Sequence, residues 1–229
     1  MGYALRTPDP LLRTFRAAAA AGYLAGGKVA SGGRHYERAE VEGTVARRNA
    51  TGLLVSRARL YAAVAHQAPR ERAVYLSALS PTETFTNHLL RPPGGVLARE
   101  GVHYTPLGGA GLRGYSPLVP AERVVSMNLE QEVLLRAFGP ASRPLRLAAT
   151  AFGDAALVDR RSIEGSTDRG SRALGDAGVG LALRGAVFDR DVRARVDVPV
   201  YVSRPELAVG RVAGGRVDLR LTFSFSDLW

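Results

Sequence analysis

Apolar and polar residues alternate along much of the chain, and the alternation is clearest towards the C-terminal end. From Asp191 to Ser203 the even positions are apolar, and most of the odd positions are charged or polar. The apolar positions there are Val192, Ala194, Val196, Val198, Val200 and Val202. Successive side chains of a β-strand point to opposite faces, so this segment is predicted to be a strand with one apolar and one polar face.

The same pattern recurs in earlier segments and again in the last one. Near residue 130, apolar Val125, Met127, Leu129, Val133 and Leu135 alternate with Ser126, Asn128, Glu130, Glu132 and Arg136. Similar alternation predicts strands near 39–45, 54–64, 145–157, 176–187 and 217–229, and strands of unclear phase are expected at 11–25 and 72–80. Turns with Gly, Pro, Asp or Asn separate these segments, as antiparallel hairpins require. The predicted fold is all-β and antiparallel, with about nine strands.

Two architectures contain strands of this kind. In a soluble β-sandwich the apolar face packs on a second sheet, whereas in an outer-membrane β-barrel it faces lipid and the polar face lines the lumen. Sandwich strands typically have about 5–6 residues and membrane-spanning strands about 9–11, and the alternation here exceeds the shorter length. Because an arginine facing mid-bilayer lipid costs about 2–4 kcal/mol, Arg193, Arg195 and Arg220 assign the polar row to the lumen. The pattern favours the transmembrane barrel and leaves the sandwich as the alternative.

The charge composition raises the question of a nucleic-acid partner. The 229 residues include 31 Lys and Arg against 21 Asp and Glu, for a formal net charge of +10, and Lys28 is the only lysine. Such an excess is typical of nucleic-acid-binding proteins. The arginines, however, are spread from Arg6 to Arg220, usually with an acidic residue nearby. We therefore expect no nucleic-acid partner.

Several other classes are excluded by simple absences in the sequence. There is no cysteine, which excludes disulfides, thiolate zinc sites and cysteine nucleophiles. No apolar run is long enough for a transmembrane helix, and no secretory signal is visible. The four histidines, His35, His66, His88 and His103, are scattered and belong to no catalytic or metal-binding motif. We expect no enzyme activity in this chain, no catalytic residue, no metal and no cofactor.

The alternation is interrupted by a long loop at about 81–121 that is rich in glycine and proline. A loop of this length in a compact domain is usually functional or disordered. Its centre, residues 108–115, reads GGAGLRGY. This tract is not a phosphate-binding loop, because it lacks the lysine and the following helix. By itself it could be a flexible extracellular loop.

The tract Gly111-Leu112-Arg113-Gly114-Tyr115, with about five strands after it and a C-terminal aromatic residue, resembles the bacterial surface antigen family of BamA-type outer-membrane assembly and translocation barrels. The resemblance implies that the loop folds back into the barrel and that Arg113 meets acidic residues on the inner wall of the next two strands. Glu130 and Asp154 match these acids, the latter within the strand motif Phe152-Gly153-Asp154. In the family this motif ends in Gly, where this chain has Ala156.

The expected arrangement has a physical rationale of its own. The alternation already places Glu130 and Asp154 in the polar row. A guanidinium held by two carboxylates in a confined lumen would pin a loop that otherwise has large conformational freedom. The alternative is that these two acids only balance lumen arginines such as Arg146 and Arg184.

The resemblance also bears on the ends of the chain. The final strand, with Leu221, Phe223, Phe225 and Trp229, resembles the C-terminal signal by which assembly machinery recognises outer-membrane barrels. About nine strands would leave two open edges, and unpaired backbone groups cannot face lipid. We therefore interpret residues 1–229 as a single partial β-barrel domain, the C-terminal part of a larger barrel, with missing N-terminal strands or a partner chain completing it.

Three functions remain open. The first is an assembly or translocation barrel in the outer membrane of a Gram-negative-type bacterium, with outer-membrane lipid and client outer-membrane proteins as partners. The second is the C-terminal membrane anchor of a larger hydrolase, such as a peptidase or a patatin-like lipase. The third, which the spread of the arginines disfavours, is a soluble basic β-protein that binds nucleic acid.

Overall fold

The strands form one large antiparallel sheet and one small one. The computed structural model describes residues 2–5, 11–24, 34–68, 73–77, 109–115, 119–140, 144–159, 171–187, 190–207 and 220–225. The strands are β1 (Gly2–Leu5), β2 (Leu11–Leu24), β3 (Arg34–Arg48), β4 (Leu54–His66), β5 (Val74–Tyr75), β6 (Pro120–Ala121), β7 (Arg123–Phe138), β8 (Leu145–Asp159), β9 (Ser171–Val187), β10 (Arg190–Val202) and β11 (Arg220–Phe225). One 3₁₀ turn lies at Pro205–Leu207. Within the described residues, no helix is long and apolar enough to cross a membrane.

The large sheet has nine strands in the order β1-β2-β3-β4-β7-β8-β9-β10-β11, and all its pairings are antiparallel. This confirms the all-β, antiparallel prediction. In the described part of the chain the sheet is open, because β1 and β11 each pair with a single neighbour.

The two faces of the sheet differ as the alternation predicts. Along β7, Ser126, Asn128 and Glu130 are buried, whereas Val125 and Met127 are 57% and 44% exposed. Polar side chains thus occupy the sheltered inner face, and apolar side chains occupy the exposed outer face. This is the reverse of the arrangement that water favours.

The inner face is concave. Arg195 on β10 donates to Glu130 on β7 at 2.7 Å, although β8 and β9 lie between these strands. Strands three apart in a flat sheet would be separated by about 14 Å. The direct contact therefore requires the sheet to curve around its polar face.

A strand is present within the range predicted at 72–80, but it is not part of the large sheet. Within this range, Val74 and Tyr75 form β5, which pairs with β6 in the two-stranded sheet. The ninth strand of the large sheet is β1 instead. Residues 73–77 are all buried, so both faces of this segment are covered and no alternation could reveal its phase.

Two register shifts place residues on faces other than those that the alternation predicts. The pairing of β10 with β9 shifts between Pro199 and Tyr201, which brings Val202 onto the inner face and leaves Tyr201 59% exposed. The alternation in the sequence instead predicts Val202 in the apolar outer row and Tyr201 in the polar inner row. Proline has no N–H for the ladder, and bulges are where strands tolerate it. A second shift, between Leu134 and Arg136, pairs Arg136 with Leu147 of the outer row, although it was expected in the polar row.

Three short segments, 73–77, 109–115 and 119–121, lie against the inner face, and we call them the inner plug. Their apolar side chains meet those of β4, β7, β8 and β9 in the main buried cluster. The cluster contains Tyr61, Ala63, Ala65, Val74, Leu76, Ala110, Leu112, Tyr115, Ala121, Val124, Ala156, Val158 and Leu174. This packing positions the Leu-Arg-Gly-Tyr tract against the strand wall.

Candidate functional site

Main-chain hydrogen bonds hold the loop motif inside the concave sheet. The Ala110 amide donates to the Tyr75 carbonyl at 2.9 Å, and the Leu112 amide donates to the Leu76 carbonyl at 2.8 Å. The inner face of the sheet adds a side-chain donor, because Asn128 Nδ2 on β7 donates to the Gly111 carbonyl at 3.1 Å. The segment 109–112 is therefore held by main-chain bonds within the inner plug and by side-chain donors from β4 and β7.

Both glycines of the motif are needed for its close approach to the wall. Gly111 has φ +71°, and a Cβ there would lie 2.8 Å from both Arg59 Nη1 and Asn128 Oδ1. A Cβ at Gly114 would lie 2.7 Å from Val202 Cγ2. Any side chain at either position would push the loop away from the wall, because contacts this short do not occur between unstrained heavy atoms.

Arg113 is the charged centre of the site. Its Nη1 donates to Glu130 Oε2 at 2.8 Å, and its Nε lies 3.1 Å from Asp154 Oδ2. All three side chains are at least nine-tenths buried. Asn128 contributes to the same cluster, since its Nδ2 donates to Asp154 Oδ1 at 3.1 Å. The structure thus brings together the loop arginine and both acids singled out from the sequence, in charge-assisted contacts shielded from water.

Phe152 covers the guanidinium from the strand side. The Arg113 Cζ atom lies 4.2 Å from the centre of the Phe152 ring, which is within cation–π range. The ring lies over Gly178 on the next strand, where a Cβ would come within 2.6 Å of Phe152 Cζ. Gly178 therefore provides the space in which Phe152 stacks on Arg113.

Glu130 serves more arginines than the sequence indicated. Arg57 Nη1 donates to Glu130 Oε1 at 2.9 Å, and Arg195 Nη1 donates to Oε2 at 2.7 Å, beside Arg113. Arg195 also donates to Asp197 at 2.6 Å. The sequence pattern had put these residues on the polar row without assigning them to the site. Their role depends on contacts between distant strands, which period-two alternation does not encode.

Tyr115 anchors the end of the motif. Its side chain is fully buried, and its hydroxyl donates to the Gly175 carbonyl at 3.2 Å and lies 2.9 Å from Ser203 Oγ. Burial raises the pKa of the phenol, so it remains protonated and able to donate at neutral pH. Arg113 and Tyr115 therefore connect the loop to β7, β8 and β9.

The remaining predicted residues lie elsewhere. Gly153 is on the outer face, where a Cβ would meet nothing within 4 Å. Ala156, which departs from the family motif, packs its methyl group into the main buried cluster. Leu221, Phe223 and Phe225 lie in β11, and Trp229 lies outside the described residues.

One buried acid stands out beside Asp154. Asp176 pairs with Asp154 across β8 and β9 and is 3% exposed. It lies against the loop motif, since a Cβ at Gly114 would come within 2.8 Å of Asp176 Cβ. Its proximity to Asp154 makes the acid pair electrostatically unfavourable unless a positive group or a proton compensates it.

The site holds a glycine-rich segment against the sheet through buried ion contacts and packing. Among the residues that the structure describes, no group of three or more His, Asp or Glu could hold a metal. Fold and site together define an all-β protein whose glycine-rich loop is clamped to the concave face of an antiparallel sheet. No family model matches the chain, and no curated protein or solved structure matches it.

Proposed function

We propose that this chain is the C-terminal part of an outer-membrane β-barrel of the BamA type, which acts in the insertion or translocation of proteins at the outer membrane. The observation that carries the proposal is the clamp of Arg113 by Glu130 on β7 and Asp154 on β8. The resemblance implied this contact between a loop motif and the next two strands.

The outer face supports a membrane location. Leu60, Val125, Leu157 and Val200 are between 57% and 67% exposed, and they belong to a row of exposed apolar side chains that continues across the sheet. Monomeric soluble proteins rarely expose a contiguous apolar surface of this extent. Lipid would cover this face, while the charged inner face would line a lumen.

Barrel closure is part of the proposal. The open edges at β1 and β11 leave backbone donors and acceptors unpaired, and such groups cannot face lipid. Further strands at the N-terminal side, or a partner chain, would complete the barrel.

In this function the clamp keeps the loop inside the lumen and stabilises the wall against which it lies. Ordering a flexible loop costs conformational entropy, which the buried ion contacts and the packing of Leu112 and Tyr115 offset. A stable wall next to a less stable open edge would let client strands pair at the edge without unfolding the rest of the sheet. The work is strand exchange, and no covalent bond changes.

Folding of a client protein tests this proposal. The full chain is reconstituted in phospholipid vesicles, and a urea-denatured outer-membrane barrel is added; its folding is followed by the shift in gel mobility of unheated samples. We expect the chain to accelerate client folding over empty vesicles, and Arg113→Ala to remove most of the acceleration. Arg113→Lys, which retains a charge but loses the bidentate geometry, should fall between the two.

Arg123→Ala is the matched control, because Arg123 is exposed and makes no hydrogen bond or ion pair with another described residue. This variant should behave as the parent does. A chain that inserts into vesicles but leaves client folding unchanged would exclude the assembly function and support the membrane-anchor alternative. A chain that stays in solution as a folded monomer after the vesicles are pelleted would exclude both, because water would then cover the apolar outer face.

A further inference from the structure

Three arginine positions are adjacent in the register of the large sheet, at the end of the sheet away from the inner plug. Arg146 on β8 pairs with Arg184 on β9, and Arg184 pairs with Arg193 on β10. The row continues with Ala137 on β7 and Ser224 on β11. No acid stands in this row of five adjacent positions, which we call the arginine row.

The contacts of Arg184 show which face the row occupies. Arg184 Nη2 donates to Glu132 Oε2 at 2.6 Å, and the buried Glu132 belongs to the inner face. The same oxygen accepts a hydrogen bond from Arg57 at 2.9 Å. One carboxylate therefore serves two guanidinium groups.

Arg146 differs from Arg184 in its surroundings. Its side chain is exposed, and it makes no hydrogen bond or ion pair with another residue of the described ranges. Like charges directly opposite each other on neighbouring strands are destabilising. The protein thus carries a cost at this row that an anion would remove.

The plug end of the same face has the opposite character. Glu130, Asp154 and Asp197 are buried there and contact Arg57, Arg113 and Arg195, so each of these arginines has an acid partner. The two ends of the inner face therefore differ in how their arginines are paired. An anion entering the concave space would be attracted to the arginine row rather than to the paired arginines at the plug end.

We propose that the arginine row is a binding site for ligands that carry two or more phosphate groups or a phosphate ester with a further negative charge. Neighbouring strands are about 4.8 Å apart, so three arginine positions extend over about 10 Å, a span that suits adjacent phosphates rather than a single small anion. The planar guanidinium matches phosphate oxygens in bidentate geometry. The ligand is either a soluble phosphate compound or the headgroup of an anionic phospholipid at the end of the lumen.

The inference goes beyond the proposed function and does not depend on client folding. Its test is calorimetric titration of inorganic pyrophosphate into the full chain, folded in nonionic detergent micelles at low salt. We expect Arg146→Gln to weaken binding by at least about tenfold, the scale of one charge-assisted contact. Arg146→Lys should weaken it less, since a charge remains at the row.

Arg47→Gln is the matched control, because Arg47 is an exposed arginine at the same end of the sheet but belongs to the outer row. This substitution should leave the affinity for pyrophosphate unchanged. Equal weakening by Arg47→Gln and Arg146→Gln would mean that net charge alone attracts the anion, and the site would be rejected. Absence of measurable binding to the parent would reject it as well.

A second arm separates the two ligand sources. Micelles are doped with phosphatidylglycerol or, as a control, with phosphatidylcholine before the titration. If the headgroup occupies the row, phosphatidylglycerol should lower the apparent affinity for pyrophosphate in the parent but not in Arg146→Gln. An unchanged affinity would assign the row to soluble phosphates. Tighter binding of a glutamate-rich peptide of equal charge would overturn phosphate recognition.

Discussion

Arg195 and Glu130 are joined by a 2.7 Å hydrogen bond across two intervening strands. The acceptor oxygen is the one that also receives the bond from Arg113 of the loop motif. The contact that holds the loop is therefore part of a network that also bridges the curved sheet from β7 to β10. The position of the loop and the curvature of the sheet therefore both depend on the Glu130 carboxylate.

The shared carboxylate makes Glu130 the most sensitive acid of the network. Glu130→Gln keeps the size of the side chain but removes the charge that Arg57, Arg113 and Arg195 all contact. We expect the free energy of unfolding to fall by about 3–5 kcal/mol, as for other buried ion pairs that lose one partner. Urea unfolding in detergent measures this loss of unfolding free energy. Glu37→Gln, at an exposed position on β3, is the control and should change stability by less than about 0.5 kcal/mol; equal effects would show that Glu130 has no special role.

The space above Gly178 should tolerate no side chain. Gly178→Ala would place a methyl group against the Val198 carbonyl and 2.6 Å from Phe152 Cζ, displacing the ring from Arg113. We expect a loss of about 1–3 kcal/mol in unfolding free energy, typical of overpacking. Gly153→Ala, where nothing lies within 4 Å of the new methyl group, should be close to neutral. Comparable unfolding midpoints for the two variants would contradict the packing assigned to Phe152.

Asp176 should behave in the opposite way to the acids that arginines contact. Asp176→Asn removes one of two buried carboxyl groups that pair across β8 and β9. Stability should stay constant or rise by up to about 1 kcal/mol, because like-charge repulsion is relieved. Asp197→Asn, by contrast, weakens the 2.6 Å contact with Arg195 and should destabilise. Thermal unfolding followed by circular dichroism checks both variants, and a clear destabilisation by Asp176→Asn would reveal a compensating contact.

Arginine substitutions at two depths of the apolar outer face test whether lipid covers it. Leu129 lies near the middle of β7 and Leu53 lies in the turn before β4, and their side chains are similarly exposed. In a bilayer, Leu129→Arg should cost about 2–4 kcal/mol, whereas Leu53→Arg should cost about 0–1 kcal/mol. Unfolding from vesicles measures the difference. Similar costs for the two substitutions would indicate that water, not lipid, covers this face.

The sequence by itself determined the strands and the faces of most of them. Side-chain direction alternates residue by residue along a strand, so a local pattern suffices to place Glu130 and Asp154 on one face and Leu129 on the other. Arg113 was singled out by the resemblance of its glycine-rich tract to a family motif. These features depend on near neighbours in the chain, which a single sequence displays directly.

Only the tertiary structure decided which charges meet and where the pattern breaks. Arg195 reaches Glu130 because the sheet curves, and residues 73–77 leave the large sheet because they pack within the inner plug. Val202 turns inward after the irregularity at Pro199, although its position in the sequence continues the apolar row. Each of these outcomes depends on pairing between segments far apart in sequence, and local alternation carries no information about the choice of partner.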